Sequence, residues 1–204
     1  MKSRWSKFYQ IIKEKNLHSL ENFIFEKQLL ESNFDESGFC ILHVLIGSRW
    51  IEGVKKCLEM KSDVNMTTEK NLTPIAFELM NKNRSIEMIK LLIHHKADLN
   101  LNDNDSLFAF HHLLLKPQVN KGSEEIIKLL VKSKSDCNII CGSHNPFYLL
   151  LDSPFATKEM ILFFLENGAD INQLEVFQQT RVMGKIEIDL DLIKIFVEHK
   201  MDLR

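Results

Sequence analysis

Four cysteines and eight histidines are the side chains of this sequence best suited to chemistry. Apart from Cys57, His18 and His199, they fall into Cys40-x2-His43, His94-His95, His111-His112 and a Cys137-x3-Cys141-x2-His144 cluster. Two chemistries are open to such sets. Structural zinc needs four soft ligands brought together, usually as two pairs. A reactive thiolate needs a base or a helix amino terminus beside the sulfur. For zinc, three candidates sit within one turn, and the Cys40/His43 pair lies more than ninety residues upstream, which leaves the set without its fourth ligand. No metal is expected. For thiolate chemistry, Cys40 lies at a helix start three residues before His43, but no oxyanion site or orienting third group can be read nearby, and packing accounts for both residues. His94 and His95 read as an exposed helix end, where a cation suits the carbonyl dipoles. No Gly-rich phosphate loop, H-E-x-x-H or G-x-S-x-G occurs. The sequence is therefore expected to encode no enzyme and to need no cofactor.

The elements that would position these residues recur. Asp-x-Asn follows an amphipathic segment four times, at Asp63, Asp98, Asp136 and Asp170, and a fifth copy, Asp202-Leu203-Arg204, closes the chain. The aspartates are spaced by 35, 38, 34 and 32 residues. The preceding segments superpose, as in MIKLLIHHKADLN, IIKLLVKSKSDCN and MILFFLENGADIN. Apolar residues at i, i+3 and i+4 (Met88, Leu91, Leu92; Ile126, Leu129, Leu130; Met160, Phe163, Phe164; Leu192, Ile195, Phe196) predict a helix packed on one side. A shorter apolar segment precedes each: 40–46, 73–80, 108–115 and 146–151. Thr73 before Pro74 is a helix start with a cause, since Thr accepts from a free amide and Pro at the first helical position loses nothing.

This pattern resembles an ankyrin-repeat array, whose unit of about 33 residues pairs a β-turn with two helices and carries a T-P-L-H-x-A signature. The best copy runs from Phe34 to Met66, with Asp35 and Gly38 in the turn, Leu42-His43 in the first helix and Asp63-Val64-Asn65 closing it. The resemblance implies an all-α solenoid of stacked helix-turn-helix units with β-turn or hairpin fingers. It would form one domain over residues 1–204: a capping unit at about 1–33, with helices within 8–32, then repeats at 34–66, 67–101, 102–139, 140–173 and 174–204. No unit keeps both the Thr and the His of the signature. The loop between helices lengthens in the third, fourth and fifth units. The sixth unit is weakest, with Gly184 and a poor helical stripe in TRVMGKIEIDLD. Its last helix has no polar cap after it, which implies either a longer protein or a face covered by a partner or a second copy.

In the family, turn tips and first helices line a concave side that binds protein partners. Carried over by position, the partner-facing residues are Phe34, Glu36, Ser37, Phe39, Gly47, Ser48 and Trp50; Thr67, Glu69, Lys70, Leu72, Met80 and Asn81; Asn102, Asn104, Asp105 and Leu107; and Gly142 and His144. Large apolar members such as Phe39, Trp50 and Leu72 are the kind that anchor interfaces. The resemblance thus implies a non-enzymatic protein-interaction module. Richness in Asn, Lys, Ile and Phe is similar to that of divergent ankyrin proteins of poxviruses and intracellular bacteria, which redirect host proteins. The competing expectations are a substrate-recognition arm of a ubiquitin-ligase adaptor or other larger protein continuing beyond Arg204, and an enzyme built on Cys40 and His43.

Composition narrows the partners. The 204 residues carry 26 basic against 28 acidic side chains, a net charge of -2, so clustered cations for phosphate backbones are not expected and neither is nucleic acid. Apolar residues make up 45%, ordinary for a folded chain. No apolar run approaches a membrane span or a signal segment. Four irregularly spaced cysteines fit reduced thiols in the cytoplasm, the nucleus or, for a secreted effector, the cytoplasm of a host. Seven glycines and four prolines are about 5% of the chain, where usage near 12% is average. The repeat wants glycine in the turn and after the second helix. The turn positions hold Gly38, Asn71, Ser106, Ser143 and Gln178, and the post-helix positions Lys61, Lys96, Lys134, Gly168 and Lys200. Left-handed backbone is therefore expected at residues that adopt it at a cost.

Overall fold

The paired periodicity becomes paired helices in a computed structural model of the protein, which describes residues 2–27, 38–115, 122–173 and 190–199. The chain divides into two compact units, Met1–Asp105 and Ser106–Arg204. The first holds α1 (Lys2–Glu14), α2 (Leu17–Lys27), α3 (Ile41–Gly47), α4 (Ile51–Glu59), α5 (Pro74–Met80) and α6 (Ile86–His94). The second holds α7 (Ala109–Leu114), α8 (Ser123–Lys132), α9 (Pro146–Leu151), α10 (Lys158–Glu166), a 3-10 turn at Ile171–Gln173 and α11 (Leu190–Glu198). Among the described residues there is no strand, only an isolated antiparallel bridge between Cys141 and His144, so the protein is all-α. α1 starts six residues before the segment that the sequence marks. The weak first helix expected in the sixth unit lies outside the described residues.

In the first unit α3 packs on α4 and α5, α4 on α2 and α6, and α5 on α6. Short first helices and longer second helices thus form two layers. Phe8 and Phe23 stack in the α1/α2 pair with ring centroids 5.4 Å apart. Ile41, Leu45, Val54, Ile75, Leu79, Met88 and Leu92 complete the buried seam. In the second unit α7 packs on α8 and α9, and α9 on α10. Phe164 joins Phe110 and Phe147, with centroids at 5.7 and 6.0 Å. Every residue of α7 and α9 is buried, His111 and His112 of α7 included.

The Asp-x-Asn motif is the stitch between neighbouring pairs. Asp63 accepts from the amide of Asn65 at 2.9 Å, an Asx turn that aims the Asn side chain along the chain's next pair. Asn65 Oδ1 then accepts from the amide of Asp98 at 2.8 Å, and its Nδ2 donates to the Lys96 carbonyl at 3.4 Å. The second unit repeats the device: Asn138 accepts from the Asp170 amide and donates to the Gly168 carbonyl, both at 2.8 Å, above an Asp136 turn of 2.8 Å. The carbonyls it reaches belong to Lys96 and Gly168, two post-helix residues at φ +70° and +95°.

Left-handed backbone falls where the glycine shortage predicts it, at Gly38, Asn71, Ser106, Lys61, Lys96, Lys134 and Gly168. In the fourth turn the residue is Gly142, φ +58°, rather than Ser143. The cause is local: the Cys141/His144 bridge encloses a two-residue hairpin whose first position must turn left-handed. Gln178 and Lys200 lie outside the described residues. Arg49, φ +56°, was not anticipated.

Candidate functional site

The Cys40/His43 pair has the spacing of a nucleophile and its base. Cys40 Sγ lies 3.0 Å from His43 Nδ1, and the Cys40 amide donates to the same nitrogen at 3.3 Å. His43 Nε2 lies 3.0 Å from the carbonyl oxygen of Leu72. A carbonyl only accepts, so Nε2 carries the proton and Nδ1 is the acceptor for both Cys40 groups. Leu72 is thus an orienting third group, which the sequence did not reveal because it comes from the next turn. Both side chains are 1% exposed, and burial pushes the thiol above its ordinary value against the lowering by backbone hydrogen bonds from His43, Leu42 and Cys40. A neutral, donating thiol at the start of α3 makes a helix cap with His43 at the third helical position.

The other first helices start with other devices. Thr73 accepts from the Ala76 amide at 3.3 Å with Pro74 behind it, as the sequence predicts. His111 Nε2 faces the His144 carbonyl at 3.1 Å, the His43 contact repeated in the second unit. Asn145 accepts from the Tyr148 amide at 2.7 Å. The first helices of successive pairs are thus held by His43, Thr73, His111 and Asn145 in turn. Cys57 and Cys137 are pushed up to about 12, chiefly by burial. Among the described residues no three His, Cys, Asp or Glu side chains converge on a common point.

The partner-facing residues named from the sequence divide by exposure. Phe34, Glu36 and Ser37 lie outside the described residues. Glu69, Lys70, Met80, Asn102, Asn104 and Asp105 are exposed in the first unit, as is Gly47. Phe39, Ser48, Thr67, Leu72 and Asn81 are half-buried there. In the second unit Gly142 and His144 are exposed and Leu107 is half-buried. Trp50 departs from its expected place: it is 1% exposed and its indole lies over Gly53 of α4, where an added Cβ would sit 2.7 Å from the ring. That burial withdraws it from any contact surface. The tryptophan-x-x-glycine spacing was the sequence signal, a glycine inside a helix having no other local reason.

Within the first unit the turn tips are tied together. Gly38 fits so closely to the next turn that a Cβ there would come within 2.5 Å of the Glu69 nitrogen. Asn104 donates its amide to the Lys70 carbonyl at 2.9 Å and its Nδ2 to the Glu69 carbonyl at 3.1 Å. Behind the tips, Phe39, His43 and Phe77 pack edge to face at 5.5 to 5.6 Å. Val44, Gly47, Phe77 and Met80 are the residues of α3 and α5 that reach solvent. Phe77 and Val44 were missed by positional carry-over, although one helical turn separates them from Met80 and Gly47.

In the last turn of α5, between Phe77 and Met80, a network appears that no motif announced. Glu78 is fully buried, with Oε2 2.6 Å from Arg49 Nη1 and Oε1 accepting from the Ser85 amide at 2.6 Å. Arg49 also donates to the Asn83 carbonyl, and Arg84 Nε to the Leu79 carbonyl at 2.8 Å. The lengthened loop 81–85 is thereby pinned to the α3–α4 connection. No helix among the described residues is long and apolar enough to cross a membrane. No protein-family model matches the sequence, and no curated protein matches it significantly.

Proposed function

We propose that the protein is a divergent ankyrin-repeat array that binds a protein partner, without catalysis, through its turn tips and first helices. The observation that carries this is the strip Val44, Gly47, Phe77 and Met80 in the first unit: apolar side chains or bare backbone facing water, beside tips held by Gly38 and Asn104. An apolar strip on rigid elements lowers the ordering cost of binding. The second helices face water with charge instead, as Glu52, Lys55 and Glu59 on α4 and Glu87 and Lys90 on α6 do. The Asp-x-Asn stitches of both units, the His43 and Thr73 contacts of the first and the His111 contact of the second support the ankyrin reading. The near-neutral charge supports a protein rather than a nucleic-acid partner. An infected host cell is the setting that the compositional likeness suggests.

The test is affinity capture with Gly47→Glu and Met80→Glu, each placing a carboxylate on the strip, against Lys55→Glu on α4. A Cβ at Gly47 meets only the Phe77 ring, at an ordinary contact distance of 3.7 Å, so the position has room for a side chain to start. Loss of the captured protein by the two strip variants and not by Lys55→Glu, with equal thermal unfolding, is the expected outcome. Capture by all three alike would overturn the proposal.

A further inference from the structure

The Glu78 network has the construction of a switch rather than of a simple brace. A carboxylate with no solvent exposure is held by one cation, Arg49, whose own side chain is 36% exposed and can turn to water. Two further groups act on its charge, the Ser85 amide and Arg84. The Ser85 amide keeps an acceptor in either form, a carboxylate oxygen or the carbonyl oxygen of a carboxylic acid, and binds the ionised form more strongly. Arg84, from the same loop, is anchored on Leu79. α3 brings no charged side chain, His43 being engaged by Cys40 and Leu72 at its first turn. The charges of α6, Glu87, Lys90 and His94, are all exposed. Among the described residues Arg49 is thus the cation in direct contact with the Glu78 carboxylate, while Arg84 feels its charge from its place on the Leu79 carbonyl.

We propose that Glu78 is a proton-controlled latch: when its carboxylate takes up a proton from water, Arg49 lets go of it and of the Asn83 carbonyl, and its guanidinium swings out beside the loop 81–85. Glu78 itself stays buried, since an uncharged carboxyl hydrogen-bonded to Ser85 is at home there. Burial pushes the Glu78 carboxyl above its ordinary value, against the pull of the Ser85 amide and of Arg49, which brings the proton step up from the usual acid range. The sign is consistent for the whole fold. The folded chain holds this proton more tightly than the unfolded one, so the stability it contributes is full below the unfolded value near 4.5 and is lost as pH rises through the folded value. The latch needs no partner and is independent of the binding role proposed above.

Nuclear magnetic resonance on the full chain tests it, with the Glu78 side-chain carbon reporting protonation and the Arg49 Nε–H order parameter reporting release. The expected result is an Arg49 that is rigid while Glu78 is ionised and falls below about 0.6, the range of mobile groups, with the same midpoint as the Glu78 carbon. Glu78→Gln, a fixed neutral side chain, should leave Arg49 mobile at every pH. An Arg49 whose order parameter passes through the Glu78 midpoint unchanged would overturn the latch, as would a Glu78 carbon that does not titrate while the chain remains folded. Should Glu78→Gln fail to fold, the two wild-type midpoints alone decide.

Discussion

Trp50 and Gly53 form a pair in which the smaller residue decides. A Cβ at position 53 would lie 2.7 and 2.8 Å from two indole carbons, ring atoms that cannot bend away as the end of a flexible chain can. Alanine raises helix propensity by about 1 kcal/mol over glycine, while overpacking costs about 1 to 3 kcal/mol. Ring carbons that cannot yield put the steric cost at the upper end of its range, and Gly53→Ala is expected to destabilise the protein by up to about 2 kcal/mol on the difference of these figures. Urea unfolding followed by circular dichroism checks the energy, and tryptophan emission shifted to longer wavelength reports Trp50 leaving its site. A variant as stable as the wild type would sink the packing account. The Cys40/His43 pair teaches the complementary lesson. Its spacing was plain in the sequence, and so was its place at a helix start. Its meaning came from the Leu72 carbonyl, 29 residues on, which nothing local announces.

Among elements, the repeat was legible because its helices are marked by period and its joints by Asp-x-Asn. What the motif does was not legible, because each Asn acts on backbone about thirty residues away. Side chains that bond to backbone impose no residue type on their partner and leave no second signature. The Glu78 latch was hidden for a related reason: Glu78 stands in a helix whose other positions read as apolar, and Arg49 stands in a loop. The two stitches differ measurably. Asn138 makes two bonds of 2.8 Å, whereas Asn65 makes one of 2.8 Å and one of 3.4 Å, at the weak limit of hydrogen-bond geometry. With about 1 kcal/mol for each well-formed bond, Asn138→Ala should cost about 2 kcal/mol and Asn65→Ala about 1 kcal/mol. Amide hydrogen exchange at Asp170 and Asp98, which lose their acceptors, reads the two effects separately. Equal or reversed effects would show that the side-chain amides are not what joins the pairs.

Across the molecule, the scarcity of glycine has become a matter of seven non-glycine residues in left-handed backbone among the described residues, with lysine at four of them. An L-residue there costs about 1 to 2 kcal/mol, and glycine instead costs about 0.5 to 1 kcal/mol in conformational freedom. Replacing such a residue by glycine therefore gains only the difference, and the rest depends on what the side chain was contributing. Lys61, Lys96 and Lys134 each follow a second helix, where a cation near the carbonyl end is worth about 0.3 to 1 kcal/mol, so glycine at these sites should change stability little. Asn tolerates the conformation, and Asn71 also accepts from the Thr67 hydroxyl at 3.3 Å. Asn71→Gly should be neutral or slightly unfavourable. Ser106 ends no helix, and serine is not among the residues that visit this region routinely. Ser106→Gly is therefore the substitution expected to stabilise, by about 0.5 to 1 kcal/mol from the same two terms. Thermal unfolding of the five single variants ranks them directly. A lysine-to-glycine change that gained more than Ser106→Gly would mean that the helix-end charges contribute nothing, and that the glycine-poor turns lower stability throughout the chain rather than at Ser106.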